Sequence, residues 1–123
     1  MDRSSVWIAA LAAGVALAGA AHAQTAEMAR GAAVYDDRCG GCHVLDGVGQ
    51  GPSLRGVMGR KAGTLAGFEF TPALKASRLT WTAANLERWL AGPPKLVPGT
   101  AMTATVPDPR ERSDLIAYLA ALR

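Results

Sequence analysis

The sequence predicts a small all-α domain, and three observations carry that reading. Strand patterning is almost absent, and short stretches with helical spacing are separated by loops rich in Gly and Pro. Several of those stretches also open on a residue suited to capping a helix, as in Thr71-Pro72, Thr82-Ala83 and Asp108-Pro109. At 123 residues the chain has room for one such domain.

The N-terminus reads as a separate element. Asp2 and Arg3 form a short charged start, Val6 to Ala21 is almost wholly apolar, and Ala21-His22-Ala23 follows as a small-x-small cleavage site. This is the layout of a secretory signal peptide over residues 1–23, with removal expected after Ala23. The alternative is an anchor that stays attached, but an apolar run of about 16 residues is shorter than the ~20 needed to span a bilayer. The remaining domain, residues 24–123, keeps one histidine, His43, because His22 leaves with the signal.

The first helix of that domain is expected from about Ala26 to Arg38, with Met28, Gly31, Val34 and Tyr35 along one side. Gly31 lowers helix propensity, so close approach of a second helix is its expected role. Residues 46–67 are glycine-rich and read as irregular chain, a length that calls for something to wrap around. Thr71-Pro72 opens a short helix to about Ser77, and Thr82 caps another from Ala83 to about Ala91. Gly92-Pro93-Pro94 is expected to end it. In the last helix Asp108 caps, Pro109 takes the first position and Glu111 completes a capping box. Leu115, Ile116, Leu119 and Leu122 then form its apolar stripe.

The chemistry sits in Cys39-Gly40-Gly41-Cys42-His43, which contains both cysteines of the chain. Cys-x-x-Cys-His is the pattern for covalent haem attachment: the thiols add across the two vinyl groups, and the adjacent imidazole binds iron from one face. Other uses of the motif fare worse. A thioredoxin-like site wants a βαβ context that is missing. A structural zinc site needs four ligands, and the exported domain offers two cysteines and one histidine. A domain of about 100 residues also benefits from a large apolar plate at its centre. For the second axial position, Met58 and Met102 both lie in loops, and a methionine is more often core filler than ligand. Composition adds an exclusion: a net charge of +3 with no dense basic run gives little support for nucleic-acid binding. It suits transient docking to acidic redox proteins, where charge mainly steers encounter.

The ordered set Cys39-x-x-Cys42-His43, Gly51-Pro52-Ser53-Leu54-Arg55-Gly56, Gly59-Arg60-Lys61, Trp81, Pro93, Pro98-Gly99-Thr100-Ala101-Met102 and Asp114-Leu115-Ile116-Ala117-Tyr118-Leu119 resembles class I c-type cytochromes of the mitochondrial and bacterial periplasmic type. The resemblance implies a class I cytochrome c fold in which short helices and loops wrap one covalent haem c, with the N- and C-terminal helices crossing near Gly31, Tyr35, Leu115 and Tyr118. It implies Met102 as the axial thioether opposite His43, Pro52 as the carbonyl partner of His43, and Leu54 packed on the haem. Arg60 and Trp81 would lie near a propionate, with the Thr100 hydroxyl alongside. For Arg60 the alternative is a solvated loop charge, for Pro52 a plain turn residue, and for Trp81 and Trp89 core aromatics.

Departures from the family pattern are Phe70 and Trp89 where tyrosines are common, and Leu74 where asparagine is common. Ala101 and Pro94 stand where eukaryotic members place docking lysines, leaving Lys95 from that group. The function implied is one-electron transfer in the periplasm between redox-partner proteins, outer-sphere, by a monomer with no substrate site, no nucleic acid partner and no membrane insertion once the signal is removed. A dedicated cytochrome subunit of a periplasmic dehydrogenase or oxidase is the alternative. A haem peroxidase or gas sensor would need an open sixth position and a distal acid–base pair, and no second histidine remains to supply one.

Overall fold

The structure is a computed structural model that describes the backbone of residues 3–123 and the side chains of residues 16–123. Asp2 and the side chains of the apolar run as far as Val15 lie outside the described residues. The described residues form five helices in order: α1 (Arg3–Arg38), α2 (Pro72–Ala76), α3 (Ala83–Ala91), α4 (Pro93–Leu96) and α5 (Pro109–Ala121). The only β pairing among the described residues is an isolated bridge between Lys61 and Thr80. Among the described residues, no helix is long and apolar enough to cross a membrane.

Two helices match the sequence expectation closely because their caps form. The Thr71 hydroxyl accepts from the Leu74 amide at 3.2 Å, and the Thr82 hydroxyl accepts from the Asn85 amide at 3.1 Å. Each satisfies one of the orphan N–H groups of a helix start. Three expectations change. The first helix begins at Arg3 rather than Ala26, since the alanine-rich leader is itself a strong helix former and runs into the domain without a break. Gly92-Pro93-Pro94 ends α3, but Pro93 then opens a single further turn, α4, because proline suits a first helical position. At the start of α5 the Asp108 carboxylate accepts from the Arg110 amide at 2.7 Å, while Glu111 turns away to pair with Arg38 at 3.0 Å. The capping box is therefore half formed.

Helices α1 and α5 cross at Gly31. A Cβ there would stand 2.2 Å from the Asp114 carbonyl oxygen and 2.7 Å from the Tyr118 Cβ, so only glycine allows this approach. One turn on, the Tyr35 ring packs on Tyr118 with centroids 5.6 Å apart, and Leu115 and Leu119 are buried. Ile116 and Leu122 are only partly buried, which narrows the expected stripe of α5. Beside the crossing, Arg30 grips Asp114 with two bonds, 2.8 and 3.1 Å.

That pair has a pH signature. Hydrogen bonding from Arg30, with its charge, holds the Asp114 carboxyl below the usual aspartate range against an opposing effect of burial. A carboxyl lowered by folding stabilises the protein at pH values above its unfolded-state pKa, and that stabilisation is lost as pH falls through the folded value. The stability difference between the parent and Asp114→Asn is expected to stay constant from neutrality to about pH 5 and to shrink below about pH 4. Denaturant midpoints across that range check it. A difference that persists unchanged into the acid range would show that the pair contributes through shape rather than charge.

Candidate functional site

The inner faces of α1, α2, α3 and α5, together with the loops on either side of α2 and the loop after α4, enclose a cavity of about 430 Å³. Its wall contains all nine residues singled out from the sequence: Cys39, Cys42, His43, Pro52, Leu54, Arg60, Trp81, Thr100 and Met102. Met58 and Met28 are not in that wall, so of the methionines beyond the leader only Met102 faces the same space as His43. A second, smaller cavity of about 200 Å³ adjoins it along Gly51, Pro52 and Phe68.

The attachment motif is held by the end of α1. The amides of Cys39 and Gly40 bond back to the Tyr35 carbonyl at 2.8 Å each, and the His43 amide bonds to the Cys39 carbonyl at 2.8 Å. These continued turns present both thiols to one cavity. Cys39 is buried and Cys42 exposed, so the two thiols differ in their access to solvent. Burial pushes the Cys39 thiol up to about 11, which keeps it a neutral thiol.

His43 is oriented on three sides. Its Nδ1 lies 2.7 Å from the Pro52 carbonyl oxygen. A carbonyl only accepts, so Nδ1 carries the proton and Nε2 is the nitrogen left to bind a metal. The Tyr35 hydroxyl donates to the His43 carbonyl and fixes the backbone beneath the ring. Gly51 presses against the ring face: a Cβ there would come within 2.5 Å of the imidazole.

The polar part of the wall fits an anionic group. Arg60 donates to the carbonyls of Arg55 and Ser53, at 3.0 Å each, and has no carboxylate partner among the described residues. Burial pulls its guanidinium below the usual arginine value, the mark of a cation short of compensation. The Trp81 indole N–H and the Thr100 hydroxyl donate to no protein acceptor among the described residues. A charged fork and two donors in a mostly apolar wall, which also holds Arg38, Gln50 and Glu69, suit the carboxylates of a large flat apolar group. The rest of the wall supplies the apolar surface, with Trp81 and Trp89 edge to face at 5.1 Å. Phe70 and Leu74 add further carbon to that wall.

These features agree with what the chain is similar to. The family model for cytochrome c matches residues 28–123. The chain belongs to the cytochrome c family. Cytochrome c of Chlamydomonas reinhardtii is 42% identical over 103 residues, covering 80% of this chain and 92% of that protein. A cytochrome c homolog from Bradyrhizobium diazoefficiens is also 42% identical, over 80% of this chain and 56% of its own length. Among solved structures, cytochrome cH from Methylobacterium extorquens superposes with a TM-score of 0.72 at 45% identity, covering 76% of this chain and 96% of that one. The chain is thus a class I c-type cytochrome that carries covalent haem c, and it is an electron carrier rather than an enzyme.

Sequence reasoning missed one part of this cytochrome's site. Arg112 on α5 is largely buried and donates to the carbonyls of Val106 and Pro107 at 2.8 and 2.9 Å, and to Glu87 of α3. The Val106 amide in turn donates to the Leu90 carbonyl at 2.8 Å. Together they tie down the segment that follows Met102. Its only sequence signal was an arginine close to the apolar stripe of an amphipathic helix. Arg112→Met leaves two carbonyls and a carboxylate without their donor, a cost of about 2 to 3 kcal/mol. It is expected to lower the denaturant midpoint and to speed amide exchange at Val106. Arg112→Lys, which keeps the charge but reaches fewer acceptors, is expected to fall between. Unchanged exchange at Val106 in the methionine variant would remove the clamp from the account.

Proposed function

We propose that the protein is an exported one-electron shuttle, with residues 1–23 removed as a Sec-type signal and residues 24–123 forming the working domain in the periplasm. Cys39 and Cys42 would form two thioether links to a haem, and His43 and Met102 would bind its iron. When bound, the haem supplies an Fe(III)/Fe(II) couple. The chain's own residues hold that couple in one geometry. Pro52 and Tyr35 lock the imidazole, and Arg112 secures the chain beyond Met102. Arg60, Trp81 and Thr100 offer donors to the propionates, and Leu54 with the paired tryptophans excludes water. The observation that carries this reading is the convergence of His43, with Nε2 free, and Met102 on the single cavity that also holds both thiols.

A thioether opposite an imidazole closes both axial positions, which favours electron transfer over ligand chemistry. Transfer is then outer-sphere through the solvent-facing side near the exposed Cys42. Lys95 is an exposed cation, whereas Pro94 and Ala101 are exposed and uncharged. A monomer without cations at 94 and 101 docks transiently. Its hold on partners is expected to weaken with ionic strength, whereas a dedicated subunit of one dehydrogenase or oxidase would co-purify at moderate salt.

The test is the visible spectrum of the exported protein in both oxidation states. The ferric form is expected to show the weak near-red band of iron–sulfur bonding, and the ferrous form to ignore carbon monoxide. Met102→Ala is expected to abolish that band, admit carbon monoxide and lower the reduction potential, while Met58→Ala leaves all three unchanged. Ready carbon monoxide binding by the parent protein would instead favour a sensor or peroxidase.

A further inference from the structure

Removal of the leader leaves a new end on α1, and its first residues carry a chemistry of their own. This inference rests on the cleavage after Ala23 proposed above. Gln24 becomes the N-terminal residue, and its side chain is exposed. In the intact helix the Thr25 hydroxyl donates to the Ala21 carbonyl at 2.9 Å, an acceptor that departs with the leader. Residues 24–26 are exposed, and the first partly buried position is Glu27. The new terminus is therefore free to move ahead of the point where α1 meets the body of the domain.

Three physical consequences follow. The amides of Gln24 to Glu27 lose the carbonyls of residues 20–23 that an α-helix would provide, so a fresh helix start needs a cap. Thr25, released from Ala21, is of the residue type that accepts from the amides of the following turn, and Glu27 puts a negative charge in that turn. The α-ammonium of Gln24, by contrast, is a positive charge at the positive end of the helix dipole, the unfavourable sign.

We propose that Gln24 is a modification site, closing on itself to pyroglutamate once the leader is removed. In its neutral form the α-amine attacks the side-chain amide carbon. A five-membered lactam forms, the Cδ–N bond breaks, and the amide nitrogen leaves as ammonia with the proton lost by the amine. No oxidant, reductant or co-reactant is consumed. The product has no basic amine, which removes the misplaced charge from the start of α1 and denies aminopeptidases their handle. Thr25 then serves as the cap behind the lactam.

Mass spectrometry and N-terminal sequencing of the purified, haem-loaded protein test this. The expected N-terminal peptide is lighter by one ammonia than a chain starting with glutamine, and it resists sequential degradation until pyroglutamyl aminopeptidase exposes Thr25. Gln24→Asn, whose shorter side chain cannot close the five-membered ring, is expected to keep a free amine and its full mass. A chain that starts at Gln24 with a free amine overturns the modification and leaves the cleavage site standing. A chain that starts at any other residue, or retains its leader, overturns the cleavage reading and the modification together.

Discussion

Replacing Cys39 and Cys42 together by alanine is expected to give a chain with no cooperative unfolding transition at room temperature. The reason is the size of what the core surrounds. Trp81, Leu86, Trp89, Leu90, Leu115 and Leu119 are all buried, and all of them line the cavity. Left unfilled, 430 Å³ would cost about 10 kcal/mol at ~24 cal/mol per Å³, as much as the whole stability of a typical domain. Water entering beside Arg60 recovers little of this, because most of the wall is apolar. Local structure cannot compensate. Helices α2, α3 and α4 span 5, 9 and 4 residues, below the length at which an isolated helix persists in water. Far-ultraviolet circular dichroism during a thermal or urea scan gives the answer. A sharp melt of the double variant would show that the crossing of α1 and α5 nucleates a core independent of the cofactor.

Gly31→Ala should produce the second large effect, with haem retained. Alanine raises helix propensity by about 1 kcal/mol over glycine, so a position governed by propensity would gain stability. Here the added methyl group meets backbone. The Asp114 carbonyl oxygen is 2.2 Å away and its carbon 2.9 Å, and neither can rotate aside. The two helices must separate, which loosens Tyr35 against Tyr118 and strains the Arg30–Asp114 grip. Overpacking of this kind costs about 1–3 kcal/mol and more when backbone must shift, so a net loss of about 2 to 4 kcal/mol is expected. The denaturant midpoint of the ferric protein, with its slope checked for two-state behaviour, measures it. A midpoint at or above the parent value would mean that the crossing is looser than this packing.

The two cases differ in how much could be read in advance. Cys39, Cys42 and His43 could be read together because their spacing lies within five consecutive residues, and local geometry carries that spacing to one cavity wall. The caps at Thr71 and Thr82 were legible for the same reason. Gly31 stood out as an anomaly in a helix, and close approach of a second helix was the natural account of it. Which atoms it meets, 83 to 87 residues later in the chain, depends on the crossing alone.

What the chain determines locally is therefore its helices, its attachment motif and the identity of its cofactor. Tertiary structure decided the rest. It separated Met102 from Met58 by bringing one of them to the cavity. It drew Glu111 from its cap to Arg38, because an ion pair across two helices was within reach. It also made Arg112 a clamp and Gly51 a seat for the imidazole. The physical reason is range. Caps and motif spacing act over three or four residues of one backbone, whereas burial, shared cavities and paired charges arise only when distant segments meet around a common centre.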